Sequence, residues 1–244
     1  MNDDGYFGEA VAKTYDKQHG GRDPKLIERT VDCLRSLAGT GEVLEFAIGT
    51  GRIALPLLAS GCKVKGIELS NAMVAELRKK ESGDPIKVEI GNMVSTQMPG
   101  EFSLVYLVFN TIDNLVTQEA QTACFLNAAR HLVPGGRFLI ETQIPPVQQI
   151  PFGQTKLAFA CSEEHVGVDE FDFASQKYTS NHVWMNAEKH EFLSVPFRYA
   201  WPSEMDLMAK LAGLELEHRW ADWERAPFSH LSQSHISVWR KLDV

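Results

Sequence analysis

Short apolar runs and longer amphipathic stretches alternate along the first 142 residues. The runs have the length of buried strands, and the stretches between them place apolar residues at helical spacing. The predicted strands are 42–47, 62–68, 86–90, 102–109 and 137–142, and the predicted helices are 24–38, 51–60, 71–80 and 117–132. This alternation predicts a parallel, doubly wound sheet.

The pattern changes after Ile144-Pro145-Pro146. Residues 155–200 include stretches of period two, such as 165–168, 178–184 and 191–199, which predict antiparallel strands. A helix from Pro202 to about Ala212 and two strands, 214–221 and 235–240, complete the expected order.

Three parts of the chain follow from this order. They are an N-terminal arm (1–22), a core (23–144 and 201–244) and an antiparallel β lid (145–200). A lid inserted at this point would lie over the carboxyl ends of the parallel strands, where ligands bind in open α/β sheets. The expected fold class is therefore α/β, with a doubly wound sheet of seven strands and an antiparallel β insertion.

Residues 43–52 contain the most informative motif. An apolar run is interrupted by Glu45 and followed by Gly49 and Gly51, as in a buried parallel strand that enters a tight turn and then a helix. Glycine allows a ligand to approach the backbone closely. The second predicted strand ends in Glu68, and an acid there can accept hydrogen bonds from both hydroxyls of a ribose. These features predict a nucleoside-containing cofactor.

These residues resemble the motifs of the class I S-adenosylmethionine-dependent methyltransferases, and the resemblance covers nearly the whole chain. Residues 45–52 are similar to the family's acid-x-x-x-Gly-x-Gly, and Glu68 lies where the family binds the ribose. Gly91-Asn92-Met93 resembles the family's Gly-Asp-Met, whose acid meets the adenine amino group, and Pro134-Gly135-Gly136 resembles the turn before strand five. The resemblance implies a Rossmann-like fold, S-adenosylmethionine as cofactor and S-adenosylhomocysteine as product.

Asn92 departs from the family pattern, which has Asp at this position. The amide oxygen can still accept a hydrogen bond from the adenine amino group but carries no charge, so we expect a cost of about 1 kcal/mol in affinity.

The N-terminal segment resembles the entry segment of small-molecule methyltransferases, including amino-sugar N-methyltransferases of antibiotic pathways. Tyr15-Asp16 and Gly21-Arg22 carry this resemblance, which implies that the segment folds over the methionine end of the cofactor. Tyr15 and Arg22 could then hold the cofactor's carboxylate, the Arg with two hydrogen bonds. The alternative is an exposed pair on a mobile arm.

The candidate site residues fall into three groups. The expected cofactor-binding residues are Tyr15, Arg22, Glu45, Ala47, Gly49, Gly51, Arg52, Glu68, Leu69, Met73, Asn92, Met93, Phe109 and Asn110. The candidate substrate-binding residues are Tyr6, Asn114, Gln143, Trp184, Arg198 and Trp223. His182 is the candidate general base because it lies on a predicted lid strand, although packing explains His182 and Trp184 equally well.

Methyl transfer from a sulfonium is a direct displacement, in which the protein mainly aligns the reacting atoms and excludes water. The expected function is transfer to a nitrogen, or to an oxygen, of a small polar metabolite. Two alternatives remain. Gly49-x-Gly51-x-x-Ala54 and Glu68 also suit an NAD-dependent oxidoreductase, and a catalytically silent cofactor-binding subunit would share these motifs.

The formal net charge of −8 argues against a nucleic acid or an anionic membrane as partner. The four cysteines are widely spaced and the histidines show no ligand spacing, so we expect free thiols, no metal and a cytoplasmic protein. The N-terminal residues Met-Asn-Asp-Asp lack the apolar stretch of a signal peptide. A small-molecule substrate is expected, and the chain could form a homo-oligomer.

Overall fold

A computed structural model describes residues 6–19, 24–80, 82–83, 85–185 and 190–242. The helices are α1 (Glu9–His19), α2 (Pro24–Ala38), α3 (Ala54–Ala59), α4 (Asn71–Arg78), α5 (Gln118–His131) and α6 (Pro202–Leu211). The strands are β1 (Val43–Phe46), β2 (Val64–Glu68), β3 (Lys87–Ile90), β4 (Phe102–Leu107), β5 (Leu132–Gln143), β6 (Lys156–Cys161), β7 (His165–Asp172), β8 (Lys177–Met185), β9 (His190–Arg198), β10 (Leu214–Trp220) and β11 (Ser234–Lys241). Short 3-10 helices occur at Thr111–Asn114 and Val147–Gln149.

The main sheet has seven strands in the order β10-β11-β5-β4-β1-β2-β3. β1 pairs in parallel with both β2 and β4, and only β11 runs antiparallel to its two neighbours in this sheet. Every residue of β1 is buried, including Glu45, as expected for a strand covered on both faces. The expected doubly wound α/β fold is confirmed.

The order of the strands places a crevice at the carboxyl end of β1. The chain continues from β1 to β2 on one side, and β4 returns to pair with β1 on the other side. The loops after β1 and β4 therefore diverge, which is where open α/β sheets bind ligands.

The second sheet is antiparallel, in the order β6-β7-β8-β9. The buried side chains of Ile150, Phe171, Tyr178 and Tyr199 form a separate hydrophobic cluster at this sheet. The period-two pattern after residue 155 is thus explained, whereas the exact limits of arm, core and lid stay a prediction.

Two elements differ in length from their predictions. α3 is only six residues long because the turn with Gly51 at φ +77° delays the helix, and Pro56 lies in its first turn, where no N–H is needed. β5 begins at Leu132 and contains the predicted Pro134-Gly135-Gly136 turn. The register shifts from Phe102↔Leu132 to Leu104↔Arg137, so these residues form a bulge within the strand.

Cys33, Cys62 and Cys124 are free and buried, and Cys161 is free and exposed at the end of β6. Within the described residues, no helix is long and apolar enough to cross a membrane.

Candidate functional site

A cavity of about 220 Å³ lies at the carboxyl ends of β1, β2 and β4. Of the predicted residues, it is lined by Tyr15, Glu45, Ala47, Gly49, Arg52, Glu68, Leu69, Met73, Asn92, Met93, Phe109 and Asn114. These side chains come from loops that are distant in sequence, and the fold brings them together at the crevice that the strand order creates.

The loop after β1 forms the floor of the cavity. Ala47, Gly49 and Gly51 all have positive φ, at +52°, +57° and +77°, so the chain turns sharply away from the strand. Gly49 lines the cavity. Gly51 does not line it, and a Cβ at this position would lie 2.4 Å from Cδ1 of Leu77. The structure therefore places Gly51 in packing beneath the loop, away from the predicted ligand contact.

Glu68 connects the ends of β1 and β2. Its Oε2 accepts a hydrogen bond from the Gly49 amide at 2.8 Å, and its Oε1 accepts one from the Ser70 amide at 2.9 Å. The side chain is buried and lines the cavity. The carboxylate is thus fixed in place by two backbone donors.

Glu45 is a second buried acid at the same edge. Burial raises its pKa to about 8, against the opposing effects of the Tyr106 hydroxyl and Arg52. Tyr106 donates a 2.7 Å hydrogen bond to Glu45 Oε2. The Arg52 guanidinium lies 4.3 Å from the centre of the Phe109 ring, a cation–π contact across the cavity.

The N-terminal helix α1 covers the glycine loop. Thr50 donates to Asp16 Oδ1 at 2.6 Å, and Lys80 bridges Asp16 Oδ2 and the Thr50 carbonyl, both at 2.7 Å.

The N-terminal segment also contributes aromatic side chains to the cavity. Ser70 donates to the carbonyl of Phe7, and both Phe7 and Tyr15 line the cavity. Burial raises the pKa of Tyr15. Arg22, predicted to assist Tyr15, lies outside the described residues.

The opposite end of the cavity is formed by the loop after β3. Asn92 is exposed, and its Oδ1 accepts from the Val94 amide at 3.1 Å. Asn127 of α5 donates to the carbonyls of Met93 and Thr96, both at 2.9 Å, which fixes this loop against the core. Met93 and Met73 add apolar lining.

The loop after β4 has an unusual backbone. Phe109 and Asn110 have φ of +62° and +56°. The Phe109 amide donates to Glu141 Oε2 at 2.8 Å, and Asn110 Oδ1 accepts from the Gln143 amide at 2.7 Å. Asn110 therefore bridges the ends of β4 and β5 and does not line the cavity. The strained pair directs Phe109 inward.

The structure places several other predicted residues away from the cavity lining. Tyr6 is exposed, and Gln143 donates to the Tyr178 hydroxyl. Arg198 is buried and hydrogen bonds to Gln121 and Glu204, whereas Trp223 donates to Glu141 Oε1. Arg198 and Trp223 do not line the cavity because their polar atoms contact neighbouring side chains.

His182 and Trp184 lie on the antiparallel sheet and are absent from the cavity lining. Their rings are nearly parallel, at 6°, with centroids 5.0 Å apart, and His165 Nε2 lies 3.0 Å from His182 Nδ1. Burial lowers the pKa of His182. A base role for His182 stays a prediction.

Sequence reasoning missed several lining residues, among them Phe7, Thr50 and Thr111. Thr50 lies between the two motif glycines, so its position alone could have indicated it. Phe7 carries no such signal, because its place depends on how α1 folds back. Within the described residues, no group of three or more His, Cys, Asp or Glu side chains could hold a metal ion.

Comparison with known proteins relates this site to one family. Residues 43–136 match the family model described as a methyltransferase domain. The structure of the CcbJ methyltransferase from Streptomyces caelestis superimposes with a TM-score of 0.88 at 31% identity, covering 98% of this chain and 99% of that one.

Two further relatives are more distant. The dTDP-3-amino-3,6-dideoxy-alpha-D-glucopyranose N,N-dimethyltransferase of Streptomyces fradiae is 29% identical over 140 residues, 56% of this chain and 54% of that protein. The S-adenosylmethionine-bound CalS10, an amino pentose methyltransferase from Micromonospora echinaspora, shares the fold with a TM-score of 0.72 at 19% identity, covering 93% of this chain and 96% of that one. The chain covers 44% and 54% of the first two curated relatives that it matches, about half of their length.

Proposed function

Because the chain belongs to the class I S-adenosylmethionine-dependent methyltransferases, we propose that it transfers the methyl group of S-adenosylmethionine to a nitrogen of a small polar metabolite. Membership of this family argues against the NAD-dependent oxidoreductase that the glycine motif alone left open. The cofactor of the family is S-adenosylmethionine.

The observation that best supports the proposal is the position of Glu68 beside the glycine loop. A carboxylate oxygen can accept more than one hydrogen bond, so Glu68 can bind ribose hydroxyls while it holds the amides of Gly49 and Ser70. The apolar side chains of Met73 and Met93 line the same cavity and suit the faces of an adenine ring. The residues present therefore fit an adenosyl group.

The chemistry requires little from the protein beyond alignment. S-adenosylmethionine, when bound, supplies a methyl group that its sulfonium already activates. Phe109, Thr111 and Asn114 line the cavity at the end of β4 and would orient the acceptor. Helix α1 covers the glycine loop and would exclude water from the reacting centre.

Nitrogen is favoured over oxygen by the character of the cavity. Among its described lining residues, the titratable side chains are Tyr15, Glu45, Arg52 and Glu68, whereas Thr111 and Asn114 beside the end of β4 are neutral. An unprotonated amine can attack without a general base, whereas an alcohol usually needs one. The N,N-dimethyltransferase from S. fradiae supports an amino-sugar acceptor.

His182→Ala tests the predicted general base. If kcat is unchanged in this variant across pH, His182 is not a general base.

The proposal includes the setting of the reaction. A net charge of −8 supports a small acceptor over nucleic acid, although one relative is a ribosomal RNA methyltransferase, 33% identical over 86 residues. Four free cysteines support a cytoplasmic location. A homo-oligomer stays a prediction.

Calorimetric titration with S-adenosylmethionine, S-adenosylhomocysteine and NAD, followed by methyl-label transfer to panels of amino sugars, alcohols and RNA, tests this proposal. We expect binding of the first two ligands and labelling of amines. Glu68→Ala should weaken cofactor binding by roughly 1–3 kcal/mol because a charged acceptor is lost. Glu89→Ala, which removes an exposed acid from β3, is the matched control. Binding of NAD alone, labelling of RNA, or no transfer to any acceptor would contradict the proposal.

A further inference from the structure

A buried polar junction connects the antiparallel sheet to the cavity. It consists of Asp113, Thr142, Gln143 and Tyr178. The Tyr178 hydroxyl donates to Asp113 Oδ2 at 3.2 Å and accepts from Gln143 Nε2 at 3.0 Å. Thr142 Oγ1 lies 3.5 Å from Asp113 Oδ1. Asp113 is only 1% exposed and Tyr178 6%, so their contact forms away from solvent, whereas Gln143 is half-buried.

The location of Asp113 gives the junction its significance. Asp113 belongs to the one-turn 3-10 helix Thr111–Asn114, and both Thr111 and Asn114 line the cavity, whereas Asp113 is buried behind them. A helix of one turn is too short to bend internally, so a displacement of Asp113 would move its two cavity-lining neighbours with it.

Tyr178 contacts two parts of the molecule. Its ring packs against side chains of the antiparallel sheet, and its hydroxyl contacts Asp113 of the core. The ring packs between Phe171 and Phe197, with centroid distances of 5.2 and 5.0 Å and interplanar angles of 20° and 23°. These rings place the phenol rigidly on the sheet. The hydroxyl therefore transmits the position of the sheet to Asp113.

Burial of the junction favours the neutral form of its carboxyl group. Burial raises the pKa of Asp113 to about 8, against the opposing effects of its hydrogen bonds and of Arg198. The nearby guanidinium of Arg198 is hydrogen bonded to Gln121 and Glu204. A neutral carboxyl can both donate and accept, which suits a partner such as a phenol.

We propose that Tyr178 is a positioning residue for methyl transfer, whose hydroxyl acts through Asp113 to place Thr111 and Asn114 against the methyl acceptor. The inference deepens the proposed function and rests on it only for the identity of the acceptor. Sheet and cavity are thereby coupled without Tyr178 touching either cofactor or acceptor.

The matched pair Tyr178→Phe and Tyr199→Phe tests this role. Both tyrosines are buried in the same apolar cluster, and each variant keeps its ring, but only the Tyr178 hydroxyl contacts Asp113. Tyr178→Phe removes the hydrogen bonds of the hydroxyl with both Asp113 and Gln143. We expect KM for the acceptor to rise at least about fivefold, with the dissociation constant of S-adenosylmethionine within about twofold. Tyr199→Phe should change neither quantity by more than about twofold. In Asp113→Asn the amide oxygen can still accept a hydrogen bond from Tyr178. KM for the acceptor should therefore stay closer to the natural value in this variant than in one with an apolar residue at position 113.

Amide hydrogen exchange provides a readout that needs no acceptor. Tyr178→Phe should accelerate exchange of the amides in 109–115, and Tyr199→Phe should not. Gln143→Leu removes the other hydrogen bond of the Tyr178 hydroxyl and should also accelerate amide exchange in residues 109–115. If no amine is methylated, the proposed function fails while exchange still tests the positioning. Equal exchange and equal KM in Tyr178→Phe and Tyr199→Phe would overturn the inference.

Discussion

Single residues in the glycine loop have different roles although they belong to one motif. Gly49 lines the cavity, whereas Gly51 leaves room for the Leu77 and Leu55 side chains below. Both glycines have positive φ, so a side chain would strain the backbone at either position. At Gly51 the steric clash adds to this strain.

Gly51→Ala compared with Gly213→Ala separates these two effects. Gly213 has a similar φ of +73°, but a Cβ there would meet nothing within 4 Å. We expect Gly213→Ala to lower the free energy of unfolding by about 1 kcal/mol from backbone strain. Gly51→Ala should lower it further and also weaken S-adenosylmethionine binding, measured by denaturant titration and calorimetry. Equal losses in the two variants would show that packing against Leu77 is unimportant.

The identity of a motif residue could be predicted from sequence, but its partners often could not. Glu68 was expected at the end of a strand, and it lies there. Its bonds to the Gly49 and Ser70 amides depend on how two loops meet. Arg198 and Gln143 were expected near a substrate, but they contact buried partners. Polar side chains look the same in sequence whether they face a ligand or a neighbouring residue.

Among the elements, α1 has the clearest dynamic consequence. It is held on the glycine loop by the contacts of Asp16 with Thr50 and Lys80, so we expect it to be displaced when the cofactor enters or leaves. Burial opposes ionisation of Asp16, but the hydrogen bonds from Lys80 and Thr50 outweigh it and hold the pKa of that carboxyl below its ordinary value. The attachment is therefore charged at neutral pH.

Asp16→Asn should loosen α1 and speed release of S-adenosylhomocysteine. We expect an increase of about two- to fivefold in the dissociation rate, since the ion pair is partly exposed and screened by solvent. Raising the salt concentration should speed release in the natural protein and have less effect in the variant. Stopped-flow displacement measures both. Glu9→Gln breaks an exposed ion pair on the same helix and is the control; if it behaves like Asp16→Asn, the specific attachment is refuted.

The order of elements followed from periodicity because strands and helices bury one face or both. The apolar run of β4 and the alternation in 165–168, which lies within β7, could be recognised for this reason. The length of α3 and the bulge in β5 were not, because each depends on backbone geometry that Gly51 or the pairing with β4 imposes.

Over the whole molecule, two buried acids couple stability to pH. Burial raises the pKa of both Glu45 and Asp113 to about 8, from ordinary values of 4.5 and 3.8. In the unfolded chain these groups ionise first, so the folded state loses relative stability as pH rises. The contribution is complete below about pH 4 and is lost by the time pH passes 8.

Glu45→Gln should reduce this dependence on pH. We expect Glu45 to lower the free energy of unfolding by about 1–3 kcal/mol between pH 5 and 8. His235, whose pKa burial lowers to about 3, acts in the opposite direction, so the comparison with the variant isolates the contribution of Glu45. In Glu45→Gln the decline should be shallower by this amount, measured by urea titration without cofactor. Glu89→Gln, at an exposed position on β3, should keep the natural slope. A slope that Glu45→Gln leaves unchanged would show that this acid does not titrate upon unfolding.

The connection between lid and core lay beyond sequence reasoning at this scale. Asp113 and Tyr178 are 65 residues apart, and no periodic pattern relates them. The family motifs indicate what a strand end binds, whereas contacts between distant segments follow only from the assembled fold.

The cysteines offer a practical consequence. Three of the four are buried and Cys161 alone is exposed, on the first strand of the antiparallel sheet. A maleimide fluorophore should therefore attach to one known position of the unaltered protein. Energy transfer from the tryptophans to such a dye would report on the position of the lid. Candidate acceptors could then be screened for binding without any assay of turnover.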